Sequence, residues 1–167
     1  MNIRKTTEND IERVMEIYVY ARKFMAEHGN PRQWGATNWP PEKVIRNDIK
    51  EGNSYVCIND SGRVIGTFFY TAGKDIEPCY KEIFDGKWID DSPYGVVHRI
   101  AADGTEKGIG SFCINWAFGQ CGHIRIDTHG DNHVMQGMLK KLGFTYCGTV
   151  YVTEDDDPRL AFEKTGD

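Results

Sequence analysis

The sequence contains no long hydrophobic run. No uninterrupted apolar stretch reaches the roughly 18 residues that a membrane-spanning helix needs. The amino terminus, MNIRKTTEND, has no apolar segment of the kind found in secretory signals. We therefore predict no membrane partner and no signal peptide, and we expect a cytoplasmic protein.

Positive charge is in the minority. The chain carries 20 lysines and arginines against 25 aspartates and glutamates, which gives a net charge of −5 with histidine neutral. Because general nucleic-acid binding depends on a basic surface, this balance argues against a nucleic-acid partner. The same balance is compatible with a cationic substrate.

Cysteine pairs with a recognisable spacing are missing. The five cysteines lie at positions 57, 79, 113, 121 and 147, and no C-x-x-C motif occurs. An odd number without motif spacing favours free thiols in a reducing compartment over a disulfide framework. Cys147 has no neighbouring base in the sequence, so we predict no covalent cysteine intermediate.

Length and composition predict one domain spanning residues 1–167. The hydrophobic fraction of 40% and the charged fraction of 27% are ordinary for a globular chain. Apolar periodicity gives a short strand, two helices, two strands, an irregular acidic section from Gly73 to Ser92, and then strand, helix, strand, helix and two strands. This order predicts an α+β, or mixed α/β, fold with a single mixed sheet and helices on both faces. The last strand, Arg159 to Lys164, is expected at the sheet edge.

The most informative stretch, residues 94–111, reads YGVVHRIAADGTEKGIGS. An apolar run is followed by a glycine-rich turn and an amphipathic segment, which is the strand–turn–helix order of an anion site. The dinucleotide pattern fails because Cys113 replaces its third glycine, and the P-loop pattern fails because no lysine precedes Ser111. The stretch is either an ordinary turn or a site for the pyrophosphate of a nucleotide-like cofactor.

Further residues support the second interpretation. Arg99 to Ala102, Lys107 to Gly110, Asn132 and Leu142 to Phe144 together resemble the GCN5-related N-acetyltransferase (GNAT) family. The resemblance implies an acyl-CoA N-acyltransferase fold, in which strands four and five diverge to admit the pantetheine arm of acetyl-CoA. It also implies transfer of the acetyl group to a primary amine by direct attack in a ternary complex.

The resemblance assigns the residues that bind coenzyme A. The end of strand four would pair with the pantetheine amides, and the glycine-rich loop would bind the pyrophosphate. Asn132 would contact the arm, or would only cap a helix. A backbone N–H near the end of strand four would stabilise negative charge on the thioester oxygen. The implied cofactor-binding residues are Ile100, Ala101, Ala102, Lys107, Gly108, Ile109, Gly110, Ser111 and Asn132.

Two positions depart from the family pattern. Thr105 stands where glutamine or arginine is usual, and Leu139 stands where many members carry a tyrosine that protonates the leaving thiolate. Tyr146 is one substitute for that acid, and release of the thiolate without an acid is another. Because of these departures, a non-catalytic acyl-CoA-binding or regulatory domain is an alternative to an enzyme.

An amine acceptor must lose a proton before it attacks, so a base or a water chain is required. His98 lies on strand four, and Asp127 and His129 lie at the end of strand five, across the expected gap. These three residues are the catalytic candidates, each with a structural role as its alternative. The acidic and histidine residues between positions 127 and 133 match no zinc pattern, so we predict no metal.

Two segments could form the acceptor site. Trp34 and Trp39, in the loop QWGATNWPP, would either cover the core or wall that site. The acidic section would be either a solvated excursion anchored by aromatic residues or a rim that recognises an amine. The acceptor itself, a small molecule or a peptide amine, is left open. The oligomeric state is open as well, with a homodimer as one option.

Overall fold

Seven strands form one mixed sheet in the computed structural model, which describes residues 1–166. The strands are β1 (Asn2–Lys5), β2 (Ser54–Ile58), β3 (Val64–Gly73), β4 (Tyr94–Ala102), β5 (His123–His129), β6 (Thr145–Tyr151) and β7 (Pro158–Thr165). The helices are α1 (Ile11–Glu27), α2 (Glu42–Lys50), α3 (Ile109–Cys121) and α4 (His133–Lys141). The order is β1-β2-β3-β4-β5-β7-β6, and β4 and β5 pair in parallel. This sheet confirms the predicted fold class.

The prediction that β7 lies at the sheet edge was wrong. β7 lies between β5 and β6 and pairs antiparallel with both strands. It carries Arg159 and Glu163, whose charges are typical of a surface strand, yet Arg159 is 2% exposed and Glu163 is fully buried. Both side chains contact charged partners. Paired charges can be buried in an interior strand, and polarity alone does not reveal this.

Helices cover both faces of the sheet, as predicted. On one face, α3 and α4 contribute a fully buried set, Cys113, Ile114, Ala117 and Leu139. On the other face, α1 buries Val14, Ile17, Tyr18 and Ala21, which recur at the spacing of an amphipathic helix. Within residues 1–166, none of the helices combines the length and the hydropathy needed to cross a bilayer.

The connection between β3 and β4 contains the acidic section, and it covers the part of the sheet that α1 leaves open. Tyr80 and Tyr94 pack there against Val150 of β6 and Ala161 of β7. The indole N–H of Trp88 donates to the carbonyl oxygen of Tyr80 at 2.9 Å. Aromatic residues therefore anchor this section to the sheet, as one of the two interpretations of its sequence proposed.

A buried ionic network also joins the acidic section to the sheet. Glu163 accepts hydrogen bonds from His123 Nε2 at 2.6 Å and from Arg125 Nε at 3.0 Å. The Arg125 guanidinium lies 4.4 Å and 4.3 Å from the ring centroids of Trp88 and Tyr94. Because of this cover, β5 has two buried faces, one apolar and one ionic.

A gap opens between β4 and β5, as predicted. The two strands pair only at Gly95–Ile124 and Val96–Arg125. Beyond that point β4 contains a bulge, where Arg99 adopts a φ of 52° and the register with β3 shifts. The Tyr18 hydroxyl braces the bulge by donating to the Arg99 carbonyl oxygen at 2.7 Å. Bulges of this kind redirect backbone groups near sites, and here the far end of β4 is left without a neighbour on the β5 side.

Candidate active site

The amino terminus of α3 presents unpaired backbone N–H groups. The first helical hydrogen bond runs from Phe112 N to Gly108 O at 2.9 Å, so the N–H groups of the three residues before Phe112 have no acceptor within the helix. Gly108 is left-handed, with a φ of 80°. A Cβ built on Gly108 would meet no atom within 4 Å. The turn is therefore an open surface with the donors and the partial positive charge that a phosphate requires.

A groove of about 540 Å³ runs from this turn along β4. Its opposite wall is α1, with Tyr20, Phe24 and Met25 facing the end of β4. Eight of the nine residues predicted to bind coenzyme A line this groove, and Ser111 is the ninth, whose backbone N–H belongs to the same helix start. We call this space the groove. The residues predicted to bind coenzyme A thus lie on one continuous surface, and their binding of coenzyme A stays a prediction.

Thr105 has a local role in the loop before α3. Its hydroxyl and its N–H both donate to Asp103 Oδ1, at 2.6 Å and 3.0 Å. Arg13 of α1 donates to the other oxygen of Asp103 at 2.6 Å. The residue that replaces the usual glutamine or arginine therefore closes the turn on itself, and Asp103 ties it to α1.

Asn132 spans two roles. Its Oδ1 accepts from Met135 N at 3.0 Å, which caps α4, and its Nδ2 donates to Gln33 Oε1 at 3.0 Å. Gln33 belongs to the tryptophan loop, whose Trp34 is 8% exposed and packs edge-on against Tyr18 at 5.8 Å. The loop is thus held at two places, by Asn132 at the start of α4 and by Tyr18 of α1.

A second space, about 370 Å³, lies on the far side of the gap. We call it the cavity. Met25, Trp34, Ile100, Asn132 and Met135 line both the groove and the cavity. The two spaces therefore meet at the mouth of the gap. Trp34 and Trp39 both line the cavity, so Trp34 covers the core and also walls this space.

His98 and Glu77 form a hydrogen-bonded pair in the cavity. His98 Nε2 lies 2.7 Å from Glu77 Oε2, and His98 Nδ1 has no protein partner within residues 1–166. Burial alone would raise the pKa of the Glu77 carboxyl, but the hydrogen bond and the charge of His98, with the Cys79 N–H, lower it overall. In the neutral form of His98, Nε2–H donates to the ionised Glu77 carboxylate, so Nδ1 carries the free lone pair.

The two arginines of the cavity are already paired. Arg99 donates to both oxygens of Asp48 at 3.0 Å. Arg159 donates to both oxygens of Asp155, at 3.0 Å and 2.8 Å. These are the bidentate contacts in which a guanidinium and a carboxylate satisfy one another.

Two other acids of the cavity are less fully paired. Asp127 accepts from the Tyr80 hydroxyl at 2.6 Å and lies 4.0 Å from Arg159 Nε. Glu154 lines the cavity without a hydrogen bond or ion pair to any residue from 1 to 166. Burial and the neighbouring charge of Asp127 raise the pKa of the Glu154 carboxyl.

Comparison with known proteins decides the family. No protein-family model matches the chain, and no curated protein is similar to it in sequence. Among solved structures, a GNAT-family acetyltransferase from Streptococcus agalactiae is 31% identical over 99% of this chain and 95% of its own, with a TM-score of 0.88. The chain belongs to the GNAT family.

More distant GNAT structures share the fold. An acetyltransferase from Listeria monocytogenes is 17% identical over 98% of this chain and 94% of its own, with a TM-score of 0.70. A phosphinothricin acetyltransferase from Sinorhizobium meliloti, in complex with AcCoA, is 16% identical over 98% of this chain and 87% of its own, with a TM-score of 0.61. These two structures show the fold alone, and acyl transfer as the general activity rests on the Streptococcus agalactiae acetyltransferase at 31% identity.

The three catalytic candidates do not share one environment. His98 and Asp127 line the cavity, but His129 does not. His129 Nε2 lies 2.8 Å from Asp157 Oδ2, and its Nδ1 accepts from Asp131 N at 3.0 Å. Both ring nitrogens of His129 are occupied, which matches the structural alternative for this residue.

The residues considered for thiolate protonation lie elsewhere in this GNAT chain. Leu139 lies on α4 and is fully buried in the core. Tyr146 is 49% exposed on β6 and packs edge-on against Phe162 at 5.9 Å, outside both the groove and the cavity. Leucine has no proton to give, and Tyr146 does not line the space where a thioester would lie, so neither residue supplies the acid.

The cysteines of this GNAT chain are free thiols. Burial, followed by the charge of Glu77, raises the pKa of Cys79 to about 11. Burial and Glu163 raise the pKa of Cys147 to about 11 as well. Since the thiolate is the nucleophile, neither cysteine is activated at neutral pH.

Two functional candidates, Glu77 and Glu154, were missed as individual residues in the sequence. Glu77 lies in the acidic section and Glu154 in the turn between β6 and β7, and both segments read only as clusters of acids. No local signal distinguishes these two from their neighbours. Within residues 1–166, no cluster of three or more histidine, cysteine, aspartate or glutamate side chains could hold a metal ion.

Proposed function

We propose that this protein transfers the acetyl group of acetyl-CoA to a primary amine, by direct attack in a ternary complex. The single observation that supports this most is that the groove and the cavity meet at the gap between β4 and β5, with phosphate-type donors at one end and His98 at the other. A site for a long phosphorylated thioester and a site for a base are thereby joined.

The residues of the groove fit coenzyme A. Open space above Gly108 and the free N–H groups of α3 suit the pyrophosphate, while the unpaired end of β4 suits the amides of the pantetheine arm. Asn132 is engaged by Gln33, so it would contact the arm through its remaining hydrogen-bonding capacity or after releasing Gln33. When bound, acetyl-CoA supplies the acetyl group as an activated thioester.

His98 would act as the base. A primary ammonium has no free lone pair, so His98 Nδ1 takes one proton before the neutral amine attacks. The nitrogen loses a second proton to solvent once the N–C bond has formed. The net reaction forms an N–C bond, breaks the C–S bond and releases coenzyme A as a thiol, whose proton solvent can supply. Glu77 holds the ring and balances the charge that His98 gains.

The raised pKa values of Cys79 and Cys147 support direct attack over a covalent cysteine intermediate. The free thiols also agree with a cytoplasmic location, which we propose on that ground alone. We propose no metal, nucleic-acid or membrane partner. A homodimer is retained as a proposal without a surface assigned to it.

Release of free thiol from acetyl-CoA in the presence of a panel of amines tests the function. We expect turnover with at least one amine, and His98→Ala should lower kcat by about a hundredfold, the usual contribution of a positioned base. It should also flatten the acidic limb of the pH profile. His133→Ala is the matched control, because His133 is exposed on α4 and lines neither space. Binding of acetyl-CoA without turnover of any amine would favour the non-catalytic alternative.

A further inference from the structure

We infer that the acceptor carries a second positive charge, distant from the amine that is acetylated, and that Glu154 binds this second charge. The inference rests on the proposed function, since it names the class of amine that the cavity selects. The class is a dication, such as a diamine, without a carboxylate or phosphate group.

The charges of the cavity exclude an anionic acceptor group. Four acids line the cavity, Asp48, Glu77, Asp127 and Glu154, against two arginines, Arg99 and Arg159. Each arginine already makes a bidentate contact with a carboxylate. A substrate carboxylate would therefore meet no free cation, and it would meet the excess of negative charge instead.

Glu154 is the cavity acid that lacks a partner among residues 1–166. Asp48 is held by Arg99, Glu77 by His98, and Asp127 by the Tyr80 hydroxyl. Glu154 is half-buried at the carboxyl end of β6, facing the charges of Asp127, His98, Arg159 and Arg99. A half-buried carboxylate beside another carboxylate is stabilised when a cation arrives, so Glu154 is suited to an ammonium ligand.

A second observation points to a ligand in the same place. Thr128 of β5 lines the cavity and is fully buried, and its Oγ1 has no hydrogen-bond partner within residues 1–166. Buried hydroxyls are almost always paired, so an unpaired one on a residue of the cavity wall lacks a partner that a bound molecule can supply. A threonine hydroxyl can accept from an ammonium or donate to another group, so Thr128 marks a ligand position and the charges of the cavity favour a cation there.

The walls of the cavity suit an alkyl cation as well. Trp34 and Trp39 line it on the side of α1. Indole faces attract cations and also pack against methylene groups. A straight-chain diamine combines a cation at each end with an apolar linker, and the cavity lining contains both acids and tryptophans.

Three compounds that share a carbon chain test the inference with the whole protein: the terminal diaminobutane, butylamine and aminobutanoate. With saturating acetyl-CoA, we expect kcat/KM for diaminobutane to exceed that for butylamine by about tenfold or more, as one charge-assisted contact allows. Aminobutanoate should be the poorest substrate. Equal values for diaminobutane and butylamine, or a preference for aminobutanoate, would overturn the inference.

Glu154→Gln isolates the residue. We expect it to remove most of the preference for diaminobutane over butylamine, mainly by raising KM for diaminobutane. Asp156→Asn is the matched control, since Asp156 is an exposed acid of the same turn and lines neither space. If Asp156→Asn removes the preference equally, or if Glu154→Gln leaves the preference intact, Glu154 is not the binding group.

Failure of the proposed function is distinguishable from failure of this inference. If none of the three amines yields free thiol, the proposed function fails for this class. Calorimetry of the same amines, added to the protein with coenzyme A present, then still compares their affinities. Tighter binding of diaminobutane that depends on Glu154 would support the inference, and equal binding would overturn it.

Discussion

The groove and the cavity meet at one gap but are built from different materials. The groove uses backbone N–H groups and glycines around the start of α3 and apolar side chains from β4, α1 and α4. The cavity uses charged side chains from separate segments, among them Asp48 of α2, Glu77 of the acidic section, His98 of β4 and Glu154 after β6. The groove can thus keep one ligand while the cavity changes its acceptor, because backbone donors survive substitutions that alter side-chain charges.

The largest effect should come from breaking the groove at its backbone. Gly108→Val places a branched side chain in the open space of the turn, at a φ of 80° that valine rarely adopts. We expect affinity for coenzyme A to fall by roughly a hundredfold or more. Calorimetry measures the loss, and a thermal melt checks that the fold is retained.

Gly119→Ala is the control for this change. Gly119 lies on the same helix with open space around its Cβ position, and it has no positive φ. This variant should bind coenzyme A as the wild type does. Unchanged affinity in Gly108→Val would contradict the assignment of the turn as the pyrophosphate site. It would also remove the distinction between a groove that binds through its backbone and a cavity that binds through side chains.

An intermediate effect should come from a side chain of the cavity. Glu77→Gln keeps the shape of the carboxyl but removes the charge that orients His98, so we expect kcat to fall by about tenfold, less than for loss of the base itself. Affinity for coenzyme A should not change. Glu82→Gln, an exposed acid of the same section, is the control.

The pH profile sharpens this second prediction. Because the folded pKa of Glu77 is lowered, its carboxylate stays ionised throughout neutral pH, and its support for His98 is lost only in acid. The wild-type and Glu77→Gln rates should therefore differ from mildly acidic to alkaline pH and converge in strong acid. A difference confined to one part of the neutral range would argue against an orienting role.

The smallest effect should come from the contact that holds the tryptophan loop over the cavity. Arg32 donates to both oxygens of Asp157 at 2.8 Å, and His129 Nε2 lies 2.8 Å from the same carboxylate. Arg32 first, then His129, hold the pKa of this carboxyl well below its usual range. Asp157→Asn should lower the melting temperature by a few degrees at most, because the Arg32 side chain of the pair is exposed.

The sign of the pH dependence follows from the lowered pKa. A carboxyl that is more acidic in the folded state stabilises the fold above its unfolded pKa, and this contribution is lost as pH falls through the folded pKa. The wild-type and Asp157→Asn melting temperatures should thus differ near neutrality and approach one another in acid. A difference that grows in acid would show that another group is responsible.

Particular residues show how far the sequence carried these conclusions. The turn at Gly108 and the cap at Asn132 were visible because strand, turn and helix start are signals between neighbours in the chain. The interior position of β7 was missed because a strand with paired buried charges reads like a surface strand. His129 was grouped with His98, and only the fold shows both of its ring nitrogens occupied.

By itself, the sequence determined the mixed fold, the order of its elements and the glycine turn that begins α3, because helix periodicity and turn chemistry act over a few neighbouring residues. The tertiary structure alone decided which acids are already neutralised and which one is left. Asp48 and Arg99 are 51 positions apart in the chain, and Glu77 and His98 are 21 positions apart. Each pair is nevertheless in contact. Charge pairing depends on distance through space, and a linear pattern does not contain that distance.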